Sequence, residues 1–302
     1  MVVDFDNLKS TGLTYEHFRK AFVLSDNLTE VRNFGSLNLD TVDSFYKLFV
    51  HCPNLKCIDL SNTAFANLKN MSYMFLNCSE LKAANLSGMD TPNLSDIFAI
   101  FEGCRSLEKL DLSNLRTDNL EDTAEAFKLC TGLTELNISG LQTSNVTNMA
   151  DMFAHCQSLT ELDLSSFDTR SVTSMRRMFL DCRSLRTLDL STFRGDKLTS
   201  MASMFSGCEK LVYIDMSNII INKGVNISEI FDGCISLRRI KLPRHTYTAK
   251  EIQRQLGYSC IDCEIVFPGM EDDLKILAEI DRKEKENTKN SGLSRLFNLF
   301  KR

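Results

Sequence analysis

The chain has 302 residues, with 35 Lys and Arg against 40 Asp and Glu, a formal net charge of -5 and 43% hydrophobic residues. This composition is typical of a folded globular chain, and the lack of a basic surplus argues against nucleic acid as a partner. No stretch approaches the roughly 20 apolar residues that a membrane-spanning helix needs. The start, MVVDFDNLKSTGL, carries acids where a secretory signal would carry a basic region, which predicts a cytoplasmic protein.

Eight cysteines recur at intervals of 26 residues, and each has a Phe three residues before it and a Leu three residues after it. They are Cys52, Cys78, Cys104, Cys130, Cys156, Cys182, Cys208 and Cys234. A fixed period of this length is typical of leucine-rich repeats, which stack into a solenoid. The sequence therefore predicts an α/β leucine-rich-repeat solenoid of about eight coils, capped at both ends.

Residues 1–33 are predicted to form the N-terminal cap. The segment from Phe22 to Val31 repeats the Phe, Leu and strand positions of the coils, but Ser25 stands where the cysteine would be. Terminal repeats are expected to be irregular because they close the core of the solenoid.

Residues 34–245 are predicted to form the regular solenoid. Each coil contains two periods, as in VTNMADMFAHCQSLTELDLSSF from Val146 to Phe167. Apolar residues first recur at spacings of three and four, which predicts a short helix, and then alternate in LxxLxL, which predicts a short strand. Stacked coils would place a parallel sheet on one face and short helices on the other, with the recurring Phe, Met and Leu residues in the core.

Residues 246–270 are predicted to form the C-terminal cap. Thr248 and Glu251 have the spacing of a capping box that opens a helix, Gly257 is a signal for its end, and a last strand follows between Cys263 and Phe267.

Residues 271–302 are predicted to be a separate charged helix followed by the segment LSRLFNLFKR. In that segment Leu293, Leu296, Phe297 and Phe300 share one helical face. Such a segment can lie on a membrane surface or dock on a partner, and folding back onto the C-terminal cap is the alternative.

Two of the coils carry a family resemblance. The phrases SNVTNMADMFAHCQSLTELDLSSFDT, from Ser144, and RSVTSMRRMFLDCRSLRTLDLSTF, from Arg170, resemble the repeats of BspA-like surface proteins, in the 26-residue form found in mycoplasma and lactobacillus proteins. The resemblance covers about residues 27–266. It implies an adhesin-like function and a location at the cell surface or outside the cell, reached here by a route without a cleaved signal.

The residue types that often form catalytic or metal sites are predicted to have only packing roles in this chain. Neighbouring helices would lie roughly 8 to 10 Å apart, whereas disulfide bonding needs Cα atoms about 4.4 to 6.8 Å apart, so the cysteine ladder is predicted to be free buried thiols. Cys260 and Cys263 form a CxxC without a second pair, which favours packing over metal binding. No nucleophile, phosphate-loop or metalloprotease motif is present. We expect no enzymatic activity, no cofactor and no metal.

The outward strand positions are the candidate binding residues. One column carries Asp or Asn, and a Ser follows each of them two residues later. Its members are Asp59, Asn85, Asp111, Asn137, Asp163, Asp189 and Asp215. This Asp and Asn column predicts either a binding site for a basic partner or a cation, or Asp and Ser side chains that form hydrogen bonds with the adjoining turn amides. The column two residues earlier varies from coil to coil, as expected of positions that packing does not dictate. The predicted partner contacts are Lys109, Glu135, Glu161, Asp163, Asp189, Tyr213, Asp215 and Arg239.

These patterns predict a non-enzymatic protein-binding scaffold, adhesin-like or an interaction module. The alternative is a structural or assembly protein whose basic amphipathic tail attaches it to a membrane surface or to another copy of itself. The partner is expected to be a protein rather than a nucleic acid.

Overall fold

A computed structural model of the protein describes residues 1–8, 15–36, 39, 41–63, 65–260 and 263–268. Its described strands are β1 (Val2–Asp4), β2 (Glu30–Arg32), β3 (Cys57–Asp59), β4 (Ala83–Asn85), β5 (Lys109–Asp111), β6 (Glu135–Asn137), β7 (Thr187–Asp189), β8 (Tyr213–Asp215), β9 (Arg239–Lys241) and β10 (Glu264–Val266). Its α-helices are α1 (Tyr15–Phe22) and α2 (Thr246–Ser259), and short 3-10 turns cover Phe5–Leu8 and Phe34–Ser36.

The strands pair in parallel with the register that the repeat period predicts. Lys109 of β5 lies opposite Glu135 of β6, and Thr187 of β7 lies opposite Tyr213 of β8, in each case 26 residues further along. The pairing runs in three pieces, β1 to β4, β5 to β6, and β7 to β10. The predicted leucine-rich-repeat solenoid with a parallel sheet on one face is confirmed.

The opposite wall of the solenoid consists of turns, so the predicted short helices are wrong for the described coils. A second parallel ladder of single bridges runs along this wall. Its members are Ser44, Asn70, Asp96, Asp122, Asn148, Ser174, Ser200 and Asn226. Each coil is therefore bonded to the next on two sides.

Alternating hydrogen bonds explain why the wall is not helical. In the coil after Asn148, the amides of Met149, Asp151 and Phe153 donate to carbonyls of the next coil at 2.8 to 2.9 Å. The amide of Ala150 donates to the Asn148 side chain at 3.1 Å. The amides of Met152 and Ala154 donate within the coil to the carbonyl three residues back, whereas an α-helix bonds four residues back. Asp151, at φ 56°, and His155, at φ 63°, take the left-handed conformation that this alternation requires.

The core confirms the predicted apolar stripes. Phe153 has no exposed surface, and the Phe ladder from Phe49 to Phe231 stacks with ring centroids 5.2 to 6.2 Å apart and planes within 10° of parallel. The methionines at the two preceding apolar positions, such as Met149 and Met152, are fully buried. These stacked rings fill the space between the sheet and the turn wall.

The cysteine ladder is buried and free, as predicted, but the reason given for it is wrong. Bonds between coils hold the turn wall near strand spacing, about 4.8 Å, and not at the spacing of packed helices. The thiol of Cys156 donates to the carbonyl oxygen of Phe127 in the preceding coil at 3.1 Å. The same contact recurs from Cys52 to Cys234 at 2.9 to 3.2 Å. Cysteine therefore supplies a donor for a buried carbonyl.

A buried threonine ladder, which the repeat analysis did not single out, also joins the coils. Thr169 is fully buried, and its hydroxyl donates to the carbonyl of Arg194 at 3.0 Å and accepts from the Arg194 amide at 2.7 Å. Thr143 makes the same pair of bonds to Asp168. The sequence signal for this ladder is a Thr that follows the strand at the same place in neighbouring coils.

The C-terminal cap begins differently from the prediction. His245 is the N-cap of α2, and its side chain accepts from the amide of Thr248, while α2 continues through Gly257 to Ser259. Thr248 is fully buried, and its hydroxyl accepts from the amide of Ile221 at 3.0 Å, so it joins the cap to the last coil instead of opening the helix. The predicted charged helix and amphipathic tail at 271–302 lie outside the described residues.

Candidate functional site

The outward Asp and Asn column forms the turns at the strand ends. Asp111 accepts a hydrogen bond from the amide of Ser113 at 2.8 Å, and Asp163 accepts one from the amide of Ser165 at 2.9 Å. All seven coils with this pair make the same bond. These amide bonds lower the pKa of the Asp111 and Asp163 carboxyls below the usual range, because the charged form is the better acceptor. These hydrogen bonds to the turn amides therefore explain why the column is uniform from coil to coil.

Five of the eight predicted contact residues surround one groove on the sheet face. The groove has a volume of about 840 Å³. Its predicted residues are Lys109, Glu135, Glu161, Asp163 and Asp189, all exposed. Asp111, Asn137 and Thr187 also line it. The sheet register brings these side chains together across four consecutive coils.

The groove lies at one of the two interruptions of the strand ladder, the one between β6 and β7. Residues 161–163 occupy the place between β6 and β7 but form no strand. Leu136 and Leu162, which hold inward strand positions, are only partly buried here and line the groove, whereas Leu110 and Leu188 at the equivalent positions are buried. The opening of the sheet therefore gives the groove an apolar floor.

The rim of the groove is strongly acidic. It carries five carboxylates and one lysine, and the lysine, Lys109, pairs with Glu135 at 2.5 Å. No ion pair involves Glu161, Asp163 or Asp189 within the described part of the chain. Adjacent carboxylates about 4.8 Å apart repel by roughly 0.9 kcal/mol even in water, so a cation placed between them would relieve this repulsion.

The last part of the sheet face differs from the prediction. Tyr213 and Asp215 were expected to point outward, but only 6% and 7% of their surfaces are exposed. Lys241 replaces the column Asp in the next coil and pairs with Asp215 at 3.2 Å. Arg239 is half-buried and pairs with Glu264 of β10 at 2.7 Å. These residues are engaged within the chain, so they are less available to a partner than the exposed residues of the groove.

The described residues offer neither a metal cluster nor a membrane-spanning helix. No group of three or more His, Cys, Asp or Glu side chains there is arranged to hold a metal ion. Cys260 of the CxxC is buried and donates to the carbonyl of Cys234 at 3.2 Å. The described helices include none that is long and apolar enough to cross a bilayer.

A scan of protein families matches the chain to the family described as "Mycoplasma protein of unknown function, DUF285", over residues 43–161 and 124–241. Together these matches span more than half of the chain. The chain belongs to the DUF285 family. The match covers the groove and the coils on both sides of it. A search of curated proteins gave no match.

Several solved structures resemble this DUF285 chain at low identity. One is TLR13 in its complex with ssRNA13, at 20% identity and a TM-score of 0.34, covering 74% of this chain and 34% of TLR13. A leucine-rich cell surface protein of Faecalibacterium prausnitzii shares 14% identity at a TM-score of 0.26, with 82% of this chain and 78% of that one covered. An LRR protein of Leptospira interrogans shares 14% identity at a TM-score of 0.23, with coverages of 84% and 98%. The chain therefore spans about a third of the TLR13 chain.

Proposed function

We propose that the protein is an interaction scaffold whose central sheet face binds a basic segment of a partner protein. The observation that carries this proposal is the groove between β5 and β7, with partly exposed Leu136 and Leu162 on its floor and five carboxylates on its rim. An apolar centre with a charged surround is a common arrangement of protein-binding surfaces. A segment with Lys or Arg residues flanking an apolar residue would satisfy both parts of the groove.

The electrostatics support a basic rather than a neutral partner. The pKa of Asp111 and of Asp163 lies below the usual range, so both carboxyls stay charged at neutral and mildly acidic pH. Opposite charge speeds association and fixes the register of a partner more than it raises affinity. We therefore expect binding that weakens as the salt concentration rises.

For the cellular location we propose a reducing compartment, the cytoplasm. Eleven free cysteines, with Cys57 exposed, support it because free thiols persist where disulfides do not form. The BspA-like resemblance of the repeats supports the other hypothesis, an adhesin at the cell surface. Fractionation of cells that make the protein, with protease treatment of intact cells, distinguishes the two locations.

Removal of three rim charges tests the proposed groove. The triple variant Glu161→Gln, Asp163→Asn and Asp189→Asn keeps the side-chain shapes, and Asn137 already makes the turn bond of this column in a neighbouring coil. We expect the variant to bind a fluorescent peptide of alternating Lys and Leu at least about tenfold more weakly, or 1.4 kcal/mol. A peptide with Glu in place of Lys should bind neither protein.

The matched control removes three exposed carboxylates away from the groove, by Glu80→Gln, Glu121→Gln and Asp196→Asn. It has the same net charge as the groove variant. If both triple variants lose binding equally, the effect is one of overall charge and the groove is not the site. The same pair of variants, used to capture partners from cell extract, identifies which captured proteins depend on the groove.

A further inference from the structure

A second groove lies at the C-terminal end of the solenoid, away from the sheet face. It has a volume of about 400 Å³ and lies between one face of α2 and one face of the β10 segment. Its lining is mostly apolar and consists of Ala249, Gln253, Leu256, Cys260, Cys263, Ile265 and Phe267. The residues from α2 follow helical spacing, and those around β10 alternate, so each element presents a single face to the groove.

The same end of the solenoid carries an open strand edge. β10 is the last strand of its sheet and pairs with β9, and no described strand pairs with its other side. Open edges and exposed apolar layers favour association with other chains, so terminal coils of a solenoid are usually covered. Ile265 and Phe267 remain partly exposed at this end.

The chain itself supplies a segment of matching chemistry. It continues from Pro268, directly after the groove residue Phe267, to residue 302, and it includes the apolar face of Leu293, Leu296, Phe297 and Phe300. The 25 residues between Phe267 and Leu293 would have a root-mean-square reach of about 25 to 30 Å as a coil and would span about 37 Å as a continuous helix. The 14 residues of α2 span about 21 Å. The segment can therefore reach every part of the groove.

We propose that residues 293–300 of the same chain cover the groove between α2 and β10. Two arguments favour this occupant over others. A short tether gives an effective concentration of about the millimolar range, which a second copy in dilute solution does not reach. An eight-residue helix is marginal in isolation. Binding of an amphipathic segment to a membrane scales with its buried apolar area, which is small for eight residues, so an adjoining apolar groove is the better surface for it. This inference does not depend on the proposed function of the sheet face.

The accessibility of Cys263 tests the proposal in the full chain. Cys263 lines the groove, so a bound segment should shield its thiol from a small alkylating reagent. The double variant Leu296→Asp with Phe297→Asp places two charges on the apolar face. We expect it to raise the alkylation rate of Cys263, followed by peptide mass spectrometry, at least about tenfold, which corresponds to 1.4 kcal/mol of docking free energy.

The matched control is Ser294→Asp with Asn298→Asp, which adds the same charge on the other face of the segment and should leave the rate unchanged. Cys156 should stay unlabelled in every sample, which shows that the solenoid is folded. Equal Cys263 rates in the wild type and the Leu296/Phe297 variant would overturn the proposal. Protection that grows with protein concentration would assign the groove to a second copy, and protection that needs phosphatidylserine vesicles would assign the segment to lipid; either result would also overturn it.

Discussion

Replacing Phe153 by alanine tests the packing of the solenoid most directly. Phe153 has no exposed surface and stacks on Phe127 and Phe179, with both centroid distances 5.6 Å and ring planes 7° and 10° apart. Deletion of a buried Phe side chain costs about 3 to 5 kcal/mol, and each stacked aromatic pair contributes about 0.5 to 1.5 kcal/mol beyond its buried area. Because two pairs are lost, we expect the free energy of unfolding to fall by about 5 kcal/mol.

A variant at the end of the ladder isolates one stacking contact. Phe231 stacks on Phe205 at 5.6 Å, and no second ring packs against it among the described residues. Phe231→Ala should therefore cost about 1 kcal/mol less than Phe153→Ala. Both values come from urea unfolding followed by circular dichroism, with similar m-values required for the comparison. A loss below about 1.5 kcal/mol for Phe153→Ala, or a larger loss for Phe231→Ala, would refute the stacked-core reasoning.

Three further predictions use other parts of the fold. Thr169→Val leaves the buried amide and carbonyl of Arg194 without the hydroxyl, so urea unfolding should show a loss of about 1 to 3 kcal/mol; a silent variant would contradict the threonine ladder. Alkylation of the native protein at pH 8 should modify Cys57 rapidly, and the buried ladder thiols from Cys52 to Cys234 only after unfolding. Burial protects these thiols from the reagent and raises the pKa of Cys130 and Cys182. Rapid labelling of ladder thiols in the folded protein would contradict this prediction. Burial, aided by the neighbouring Asp96 charge, raises the pKa of Asp122, so its charged form opposes folding. Asp122→Asn should therefore raise the free energy of unfolding at pH 7 by up to about 1 kcal/mol. The gain should shrink as the pH falls through the folded pKa of Asp122, because the native carboxyl then becomes neutral.

The sequence predicted part of the candidate site on the sheet face, but not the groove. The variable column and the repeat register placed Lys109, Glu135 and Glu161 on neighbouring coils, and the structure brings them to one groove. The groove itself was not predictable, because it depends on residues 161–163 leaving the strand ladder while their sequence matches the other coils. Tyr213 followed the same outward pattern and is buried, since its exposure depends on residues distant in the chain.

The sequence by itself determined the number and stacking of the coils, the parallel register and the inward Phe, Met, Leu and Cys positions. It could do so because a repeat of 26 residues places equivalent side chains on the same column of every coil. Only the tertiary structure decided the backbone conformation of the wall opposite the sheet. Spacings of three and four residues suit an α-helix and a chain of turns equally well, and the choice depends on whether the amide of Phe153 bonds within its own coil or to Met178 of the next. That bond joins residues far apart in sequence and forms only when the coils are stacked, so local periodicity could not reveal it.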